Sequence, residues 1–311
     1  MARHLRSLMD LQPAEMQRVI ELAVAMKAEP AKYRKILDGK SVAVIFAKQS
    51  TRTRVSFEVG IHQLGGQPLV LTSGGTSGMQ MGRGETIHDT AKTLSRFVHA
   101  IVIRTFGQHE VDGLAEHGSV PVVNALTDMY HPCQALADVQ TMREHFGDTR
   151  GLKLVYAGAG NNVAHSLMLA GPRAGFDVVV ACPEQVKPDA KVLERACADA
   201  AAAGTKVTVM HDLMAAAQGA HVIYTDTWVS MGQDDEADQL RTALEAYRVD
   251  DAVMAAADPK AIFMHCLPAH RGEEVTASVI DGPQSLVFDE AENRLHAQKA
   301  LLALLLEGVP W

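Results

Sequence analysis

Short apolar runs alternating with segments of helical period constrain the fold of this chain more tightly than any other feature. The runs fall at 42–47, 68–71, 100–103, 120–123, 152–157, 178–181, 207–210, 221–224 and 261–264, and they read as strands. Between many of them lie helix-period patterns such as Phe57, Ile61 and Leu64, or Ile87, Leu94 and Val98. Strands separated by helices pair in parallel through crossover connections, so the expected fold class is α/β. Two domains of similar size are expected, each with a largely parallel central sheet flanked by helices, and the active site in the interdomain cleft. A first helix precedes the alternation, marked by Pro13 near its start and by Met16, Val19, Ile20 and Ala23 on one face.

The stretch GDTRG at 147–151 is the best interdomain break, because a long helical stretch from His131 ends there and a new strand begins. The expected domains are therefore 1–146 and 147–311. The segment from about 289 to 307 reads as a helix with Leu295, Leu302 and Leu306 on one side, placed to pack back on the first domain.

Composition removes several function classes. At 311 residues the chain can bury sizeable cores without disulfide or metal staples. Its 29 Lys and Arg stand against 37 Asp and Glu, a formal charge of -8, and no block of consecutive basic residues occurs. A nucleic-acid or anionic-membrane surface is therefore not expected as the main partner. Neither end carries the roughly 20 apolar residues of a membrane helix, and the start lacks the apolar core of a secretory signal. Cys133, Cys182, Cys197 and Cys266 form no CxxC pair, so neither a zinc site nor a disulfide framework is expected, and a reducing cytoplasm is the expected location.

Unusual polar clusters fall just after the expected strands, at Ser50 to Arg54, at Arg104, at Asn161 with Asn162, at Asp226, and at His265 with Cys266. Ligands of open α/β sheets bind at the carboxyl ends of strands, so these clusters are placed to line one site. The strongest is STRTR at 50–54. A helix start offers free N–H donors and a positive dipole end, the hydroxyls add donors, and Arg52 and Arg54 add forked cations, which together suit a phosphate. A capped helix with surface arginines would explain any one of these residues alone.

HPCQALAD at 131–138 also opens a helix. His131 is suited to donate to a developing oxyanion and the Gln134 carbonyl to accept from an amide NH2, although a lone His before Pro is more often a turn residue. GAGNN at 158–162 matches the first two glycines of a dinucleotide loop. Val163 replaces the third glycine, and the next strand ends in Ala181, Cys182 and Pro183 without a ribose-binding acid, which disfavours a nicotinamide dehydrogenase. Asp226 suits an ammonium group, while Cys266 suits either orientation of an amine or acceptance of its proton; a turn cap and a buried thiol are the plainer readings.

Taken in order, STRTR, QMGRGE, HPCQALAD, GNN, DTWVSMG, HCLPAHRGEEV and ENRLH resemble the ornithine carbamoyltransferases over about residues 40 to 300. STRTR and HPCQALAD are shared with the wider aspartate/ornithine carbamoyltransferase superfamily, whereas DTWVSMG and HCLP separate the ornithine enzymes from the aspartate ones. The resemblance implies transfer of the carbamoyl group of carbamoyl phosphate to the δ-amine of L-ornithine, giving L-citrulline and phosphate in arginine metabolism, with no metal or organic cofactor. It makes 1–146 the carbamoyl-phosphate-binding domain and 147–311 the ornithine-binding domain.

Carried over by position, the resemblance implies that Ser50, Thr51, Arg52 and Thr53 hold the phosphate. Arg104, His131 and Gln134, with Pro132 and Cys133 in the same turn, surround the carbamoyl group, and Arg294 completes the anion site. Gln80 reaches a neighbouring subunit's site in a homotrimer or multiple of trimers. Asn162, Asp226, Ser230 and Met231 bind ornithine, while Cys266 and Leu267 contact both substrates, with a cis Leu267–Pro268 bond. Arg52, Arg104, His131 and Cys266 carry the catalytic roles. One departure is visible: the family usually has an acid where this chain has Ala159.

Putrescine, N-acetylornithine and aspartate are the other acceptors of the superfamily. Aspartate fits poorly, because DTWVSMG places an acid where a second carboxylate needs a base. From another class, a non-catalytic phosphometabolite sensor would have no need of the oxyanion set. On this reading, an acidic protein gathers Arg52, Arg54, Arg104, His131 and Arg294 at one cleft.

Overall fold

The computed structural model describes residues 2–72, 84–229 and 237–311, and the chain divides into two compact units. Unit 1 comprises Met1–Gln140 and Glu292–Trp311, and unit 2 comprises Thr141–Ala291.

In unit 1, β1 (Ser41–Phe46), β2 (Gln67–Thr72), β3 (Ala100–Arg104) and β4 (Val122–Leu126) form a parallel sheet in the order β2-β1-β3-β4. Its helices are α1 (Pro13–Ala28), α2 (Thr51–Gln63), α3 (Ile87–Leu94), α4 (Gln108–His117) and the first part of α5 (Pro132–Phe146). The sequence of β1, SVAVIF, is buried along nearly its whole length, as a strand covered on both faces must be. Strand β2 lies at the edge, where Pro68 costs no ladder bond, and it is correspondingly more exposed. Ala43, Ile45, Ile101, Ile103, Val111 and Leu114 belong to one core cluster of this unit.

In unit 2, β5 (Lys153–Ala157), β6 (Asp177–Ala181), β7 (Val207–Met210), β8 (Val222–Thr225) and β9 (Ile262–His265) form a second parallel sheet, ordered β7-β6-β5-β8-β9. Helices α6 (Asn162–Ala174), α7 (Ala190–Ala203), α8 (Leu213–Ala217), α9 (Ala237–Leu244), α10 (Asp251–Ala256) and α11 (Ala277–Ile280) accompany it. Val155, Val179, Ile223 and Phe263 from the sheet share a core with Trp228, Tyr247 and Val253. The chain passes between the units inside α5 and again inside α12 (Val287–Leu305).

Each of the nine apolar runs is a strand. The largest displacement is at 120–123, observed at Val122–Leu126. Pro121 lacks the N–H a ladder needs, and the sequence pattern breaks at Asn124, a polar residue that is buried because its Nδ2 donates to the Arg6 carbonyl.

Strand order also fixes where ligands go. In unit 1 the chain runs from β1 to β2 and then crosses β1 to reach β3, so the topological switch lies between β1 and β3. In unit 2 it lies between β5 and β8. Crevices at the carboxyl ends of such strand pairs are the binding positions of open parallel sheets.

Candidate active site

At the unit 1 switch point, Phe46 ends β1 and is paired in register with Arg104, which ends β3. The β3–β4 register shifts between Ile103 and Arg104. A bulge of this kind re-aims the side chain at the strand end.

Ser50 is the N-cap of α2: its Oγ accepts the Thr53 N–H at 3.2 Å. The cap satisfies one first-turn donor and leaves others, with the positive end of the helix dipole, at the carboxyl end of β1. Thr51 is exposed and Arg52 half-buried, whereas Thr53 is buried. Arg54 does not join the other cations, contrary to the sequence reading. It lies on the exposed side of α2, paired with Glu58 at 3.3 Å, because two steps along a 3.6-residue helix turn it roughly 200° from Arg52.

Thr53 is the meeting point of two buried guanidinium groups. Its Oγ1 accepts from Arg104 Nη1 and from Arg294 Nη2, both at 3.4 Å. Arg294 is held further by Gln298 Oε1 at 3.1 Å and by Gln134 Oε1 at 2.7 Å. The Gln134 carbonyl, expected to accept from a substrate amide, thus accepts from Arg294 here, and its NH2 donates to Asp138 Oδ1 at 2.8 Å. His131 is 4% exposed just before Pro132 opens α5. Burial first, and then the cations Arg294, Arg104 and Lys48, push its pKa well below the ordinary histidine range, so it is a neutral imidazole at neutral pH. Burial pushes the Cys133 thiol up to about 12, with Arg294 opposing, and its Sγ donates to the Asn124 carbonyl. Cys133 is a packed neutral thiol.

Unit 2 builds a second set around Asp226. Asn161 caps α6, its Oδ1 accepting from Val163 N at 3.0 Å and Ala164 N at 3.1 Å, while its Nδ2 donates to Asp226 Oδ2 at 2.8 Å. Asp226 Oδ1 accepts from the Thr227 N–H at 2.8 Å and the Cys266 thiol at 3.0 Å. The ends of β5, β8 and β9 are therefore tied through one carboxylate. Asn162, half-buried, is the first residue of α6. Burial and then the neighbouring Asp226 and Cys266 push the Tyr156 phenol well above its usual range.

The loop after β9 has its own support. Leu267 lies in the left-handed region, φ 55°, and the Leu267–Pro268 bond is cis, as the resemblance implies. The Leu267 N–H donates to His265 Nδ1 at 2.9 Å, and His265 Nε2 lies 3.2 Å from Glu274 Oε1. Glu290 accepts from the His265 N–H at 2.8 Å and from the Tyr224 hydroxyl at 3.0 Å. Burial works to raise the Glu274 pKa, but the bonds from His265, the His270 N–H and its own N–H outweigh that and hold it below the usual carboxylate value. Asp226, His265 and Cys266 offer metal-ligand atoms within 4.8 Å of one another, yet each is engaged by the hydrogen bonds just described.

The glycines of GAGNN have a packing explanation. A Cβ on Gly160 would stand 2.1 Å from the Pro188 nitrogen, and its N–H donates to the Val186 carbonyl. Gly158 has φ 144°, and Ala159 packs half-buried on the unit 2 core. Sequence reasoning did not find Lys48, Glu274 or Glu290 as site supports. Buried charged residues carry no periodic signal, and only Glu274 stands in a quoted motif. Gln80, Ser230 and Met231 lie outside the described residues.

Two family models together match nearly the whole chain. Residues 3–144 match the family model described as aspartate/ornithine carbamoyltransferase, carbamoyl-P binding domain, and residues 150–305 match its Asp/Orn binding domain. An ornithine carbamoyltransferase of Parafrankia sp. is 54% identical over 311 residues, covering 98% of this chain and 96% of the relative. One of Thermococcus kodakarensis is 51% identical, covering 99% of this chain and 97% of the relative. The solved ornithine carbamoyltransferase from Pyrococcus furiosus superposes with a TM-score of 0.94 at 49% identity, covering 99% and 98% of the two chains. A solved N-acetyl-L-ornithine transcarbamylase gives 0.86 at 33% identity, covering 96% and 98%.

Proposed function

The chain belongs to the aspartate/ornithine carbamoyltransferase family, and from that premise we propose how its residues carry out the reaction. It transfers the carbamoyl group of carbamoyl phosphate to the δ-amine of L-ornithine, giving L-citrulline and phosphate. The observation that carries the assignment of roles is the convergence of Arg104 and Arg294 on Thr53 beside a neutral His131.

Ser50, Thr51, Arg52, Thr53 and the start of α2 hold the phosphate, with Arg294 completing the anion site. Arg104, His131 and Thr53 surround the carbamoyl oxygen, and Gln134 the carbamoyl nitrogen. Asn162, Asp226, Ser230 and Met231 take ornithine, and Cys266 and Leu267 face both substrates. The δ-nitrogen, deprotonated, attacks the carbamoyl carbon and forms the N–C bond. The tetrahedral oxyanion is stabilised by preorganised donors, and as it collapses the C–O bond to phosphate breaks and the second amine proton passes to the departing phosphate, leaving an uncharged ureido group on citrulline and hydrogen phosphate as the second product. A neutral His131 can donate one N–H without adding a cation that would compete for phosphate. The two sets must meet on one pair of substrates for this chemistry to occur.

The four free cysteines suit a reducing cytoplasm. No helix among the described residues is long and apolar enough to cross a membrane. Assembly as a homotrimer or multiple of trimers, with Gln80 reaching a neighbouring site, is part of the same proposal.

Mixing the purified chain with carbamoyl phosphate and, separately, ornithine, putrescine, N-acetylornithine and aspartate tests the acceptor. Carbamoylation of ornithine in large excess over the other three is expected. Turnover of N-acetylornithine or putrescine alone would reassign the acceptor, and no turnover with any amine would sink the enzymatic reading.

A further inference from the structure

Lys48 stands in the turn between β1 and α2, two residues before Ser50, and is only 6% exposed despite its charge. Lysine is almost never this buried unless it is paired. Its Nζ lies 3.0 Å from Asp128 Oδ1, in the turn between β4 and α5, and 4.9 Å from the centre of the Phe106 ring, in the turn between β3 and α4. The backbone follows the same route: Ala47 N–H donates to the Arg104 carbonyl at 2.9 Å, and Asp128 N–H to the Phe106 carbonyl at 2.9 Å. These three turns carry Ser50 to Thr53, Arg104, and His131 to Gln134.

We propose that Lys48 is a positioning residue for carbamoyl transfer, a single ammonium that pins the three unit 1 turns together and so fixes the spacing of the α2 start, Arg104 and His131. The inference rests on the functional reading above. The ion pair to Asp128 and the cation–π contact to Phe106 start from one nitrogen and end on two different turns, so the ammonium ties both to its own. Its charge also adds to those of Arg294 and Arg104 in favouring the neutral His131 imidazole. Asp128 has a largely exposed side chain, 61%, and asparagine in its place keeps an oxygen that can accept from the buried Lys48 ammonium, so Asp128→Asn weakens the ion pair without leaving Nζ unpartnered. Its function is therefore separable from folding.

A double-mutant cycle decides the matter, with Lys48→Met, Asp128→Asn and the double variant assayed for citrulline formation and for binding of inorganic phosphate, beside melting temperature. Lys48→Met should lower kcat/KM for carbamoyl phosphate by about 10-fold or more and weaken phosphate binding, because the turns lose their spacing. Asp128→Asn should show part of that loss with an unchanged melting temperature. The double variant should be no worse than Lys48→Met, since both changes break one interaction. The KM for ornithine should not move.

Single losses that multiply in the double variant would overturn the proposal. So would a Lys48→Met enzyme with normal kinetics and only a lower melting temperature. If Lys48→Met does not fold, Asp128→Asn decides alone, and normal kcat/KM in that variant overturns the proposal. Wild-type enzyme without turnover would sink the functional reading instead, so the two failures are distinguishable.

Discussion

Cys266 donates its thiol hydrogen to Asp226 across 3.0 Å, joining the end of β9 to the end of β8. With Asn161 and the Thr227 N–H also donating, the Asp226 carboxylate accepts from three groups of unit 2 before any ammonium arrives. On the proposed assignment, an incoming amine meets a carboxylate that these bonds have already oriented.

Orientation of that carboxylate should be measurable. Cys266→Ala removes one donor and is expected to raise the KM for ornithine by about 10-fold, the scale of one hydrogen bond to a charged group, while the pH profile keeps its shape. The profile itself should rise toward alkaline pH, since a primary amine of this kind has a pKa of about 10.4. A flattened profile in Cys266→Ala would instead make the thiol a proton acceptor.

Arg104→Ala should lower kcat by about 10^2 to 10^3, the usual cost of one oxyanion donor. Its melting temperature should hold within a few degrees, because Arg104 and Arg294 are buried like charges sharing Thr53 Oγ1, and removing one relieves repulsion. Normal turnover with early melting would make Arg104 structural.

His131 makes stability depend on acid. Its folded pKa lies well below 6.5, so below that value the unfolded chain binds a proton that the folded chain refuses. Stability from this group is therefore full above about pH 6.5 and falls as pH drops from there toward the folded pKa. Urea melts between pH 7.5 and 5 should show that decline, and His131→Gln should shallow it. Equal slopes in the two proteins would contradict the assignment.

Gly160→Ala tests the packing account of GAGNN. The new Cβ would meet backbone at Pro188, which cannot yield as a flexible side chain can. A loss of about 1–3 kcal/mol in urea melts is expected, together with a higher KM for ornithine as Asn161 and Asn162 shift. Unchanged stability would show that the Lys187–Pro188 turn moves freely.

How much of this was legible in the sequence differs by residue. The strands were, because Val42 to Phe46 or Leu154 to Ala157 are buried on both faces and so uniformly apolar. The strand-end placement of Arg104, Asp226 and Cys266 was equally legible, since each follows an apolar run by one or two residues. Arg54 misled because a five-residue string says nothing of helix phase, and only the 3.6-residue turn separates it from Arg52. Lys48 and Glu290 were illegible: their burial is bought by partners 80 and 25 residues away in sequence, Asp128 and His265. No local pattern records such pairs.

Everything proposed for the two sets of residues depends on one bond, formed between the δ-nitrogen of ornithine and the carbamoyl carbon. Incubating the enzyme with 13C-carbamoyl phosphate and δ-15N-ornithine and recording the 13C spectrum tests it directly. The product carbonyl should be split by its directly bonded 15N, and that signal should grow more slowly, by about 10^2-fold or more, in Arg104→Ala. A 13C signal with no nitrogen splitting, or label recovered only as hydrolysed carbamoyl phosphate, would contradict it.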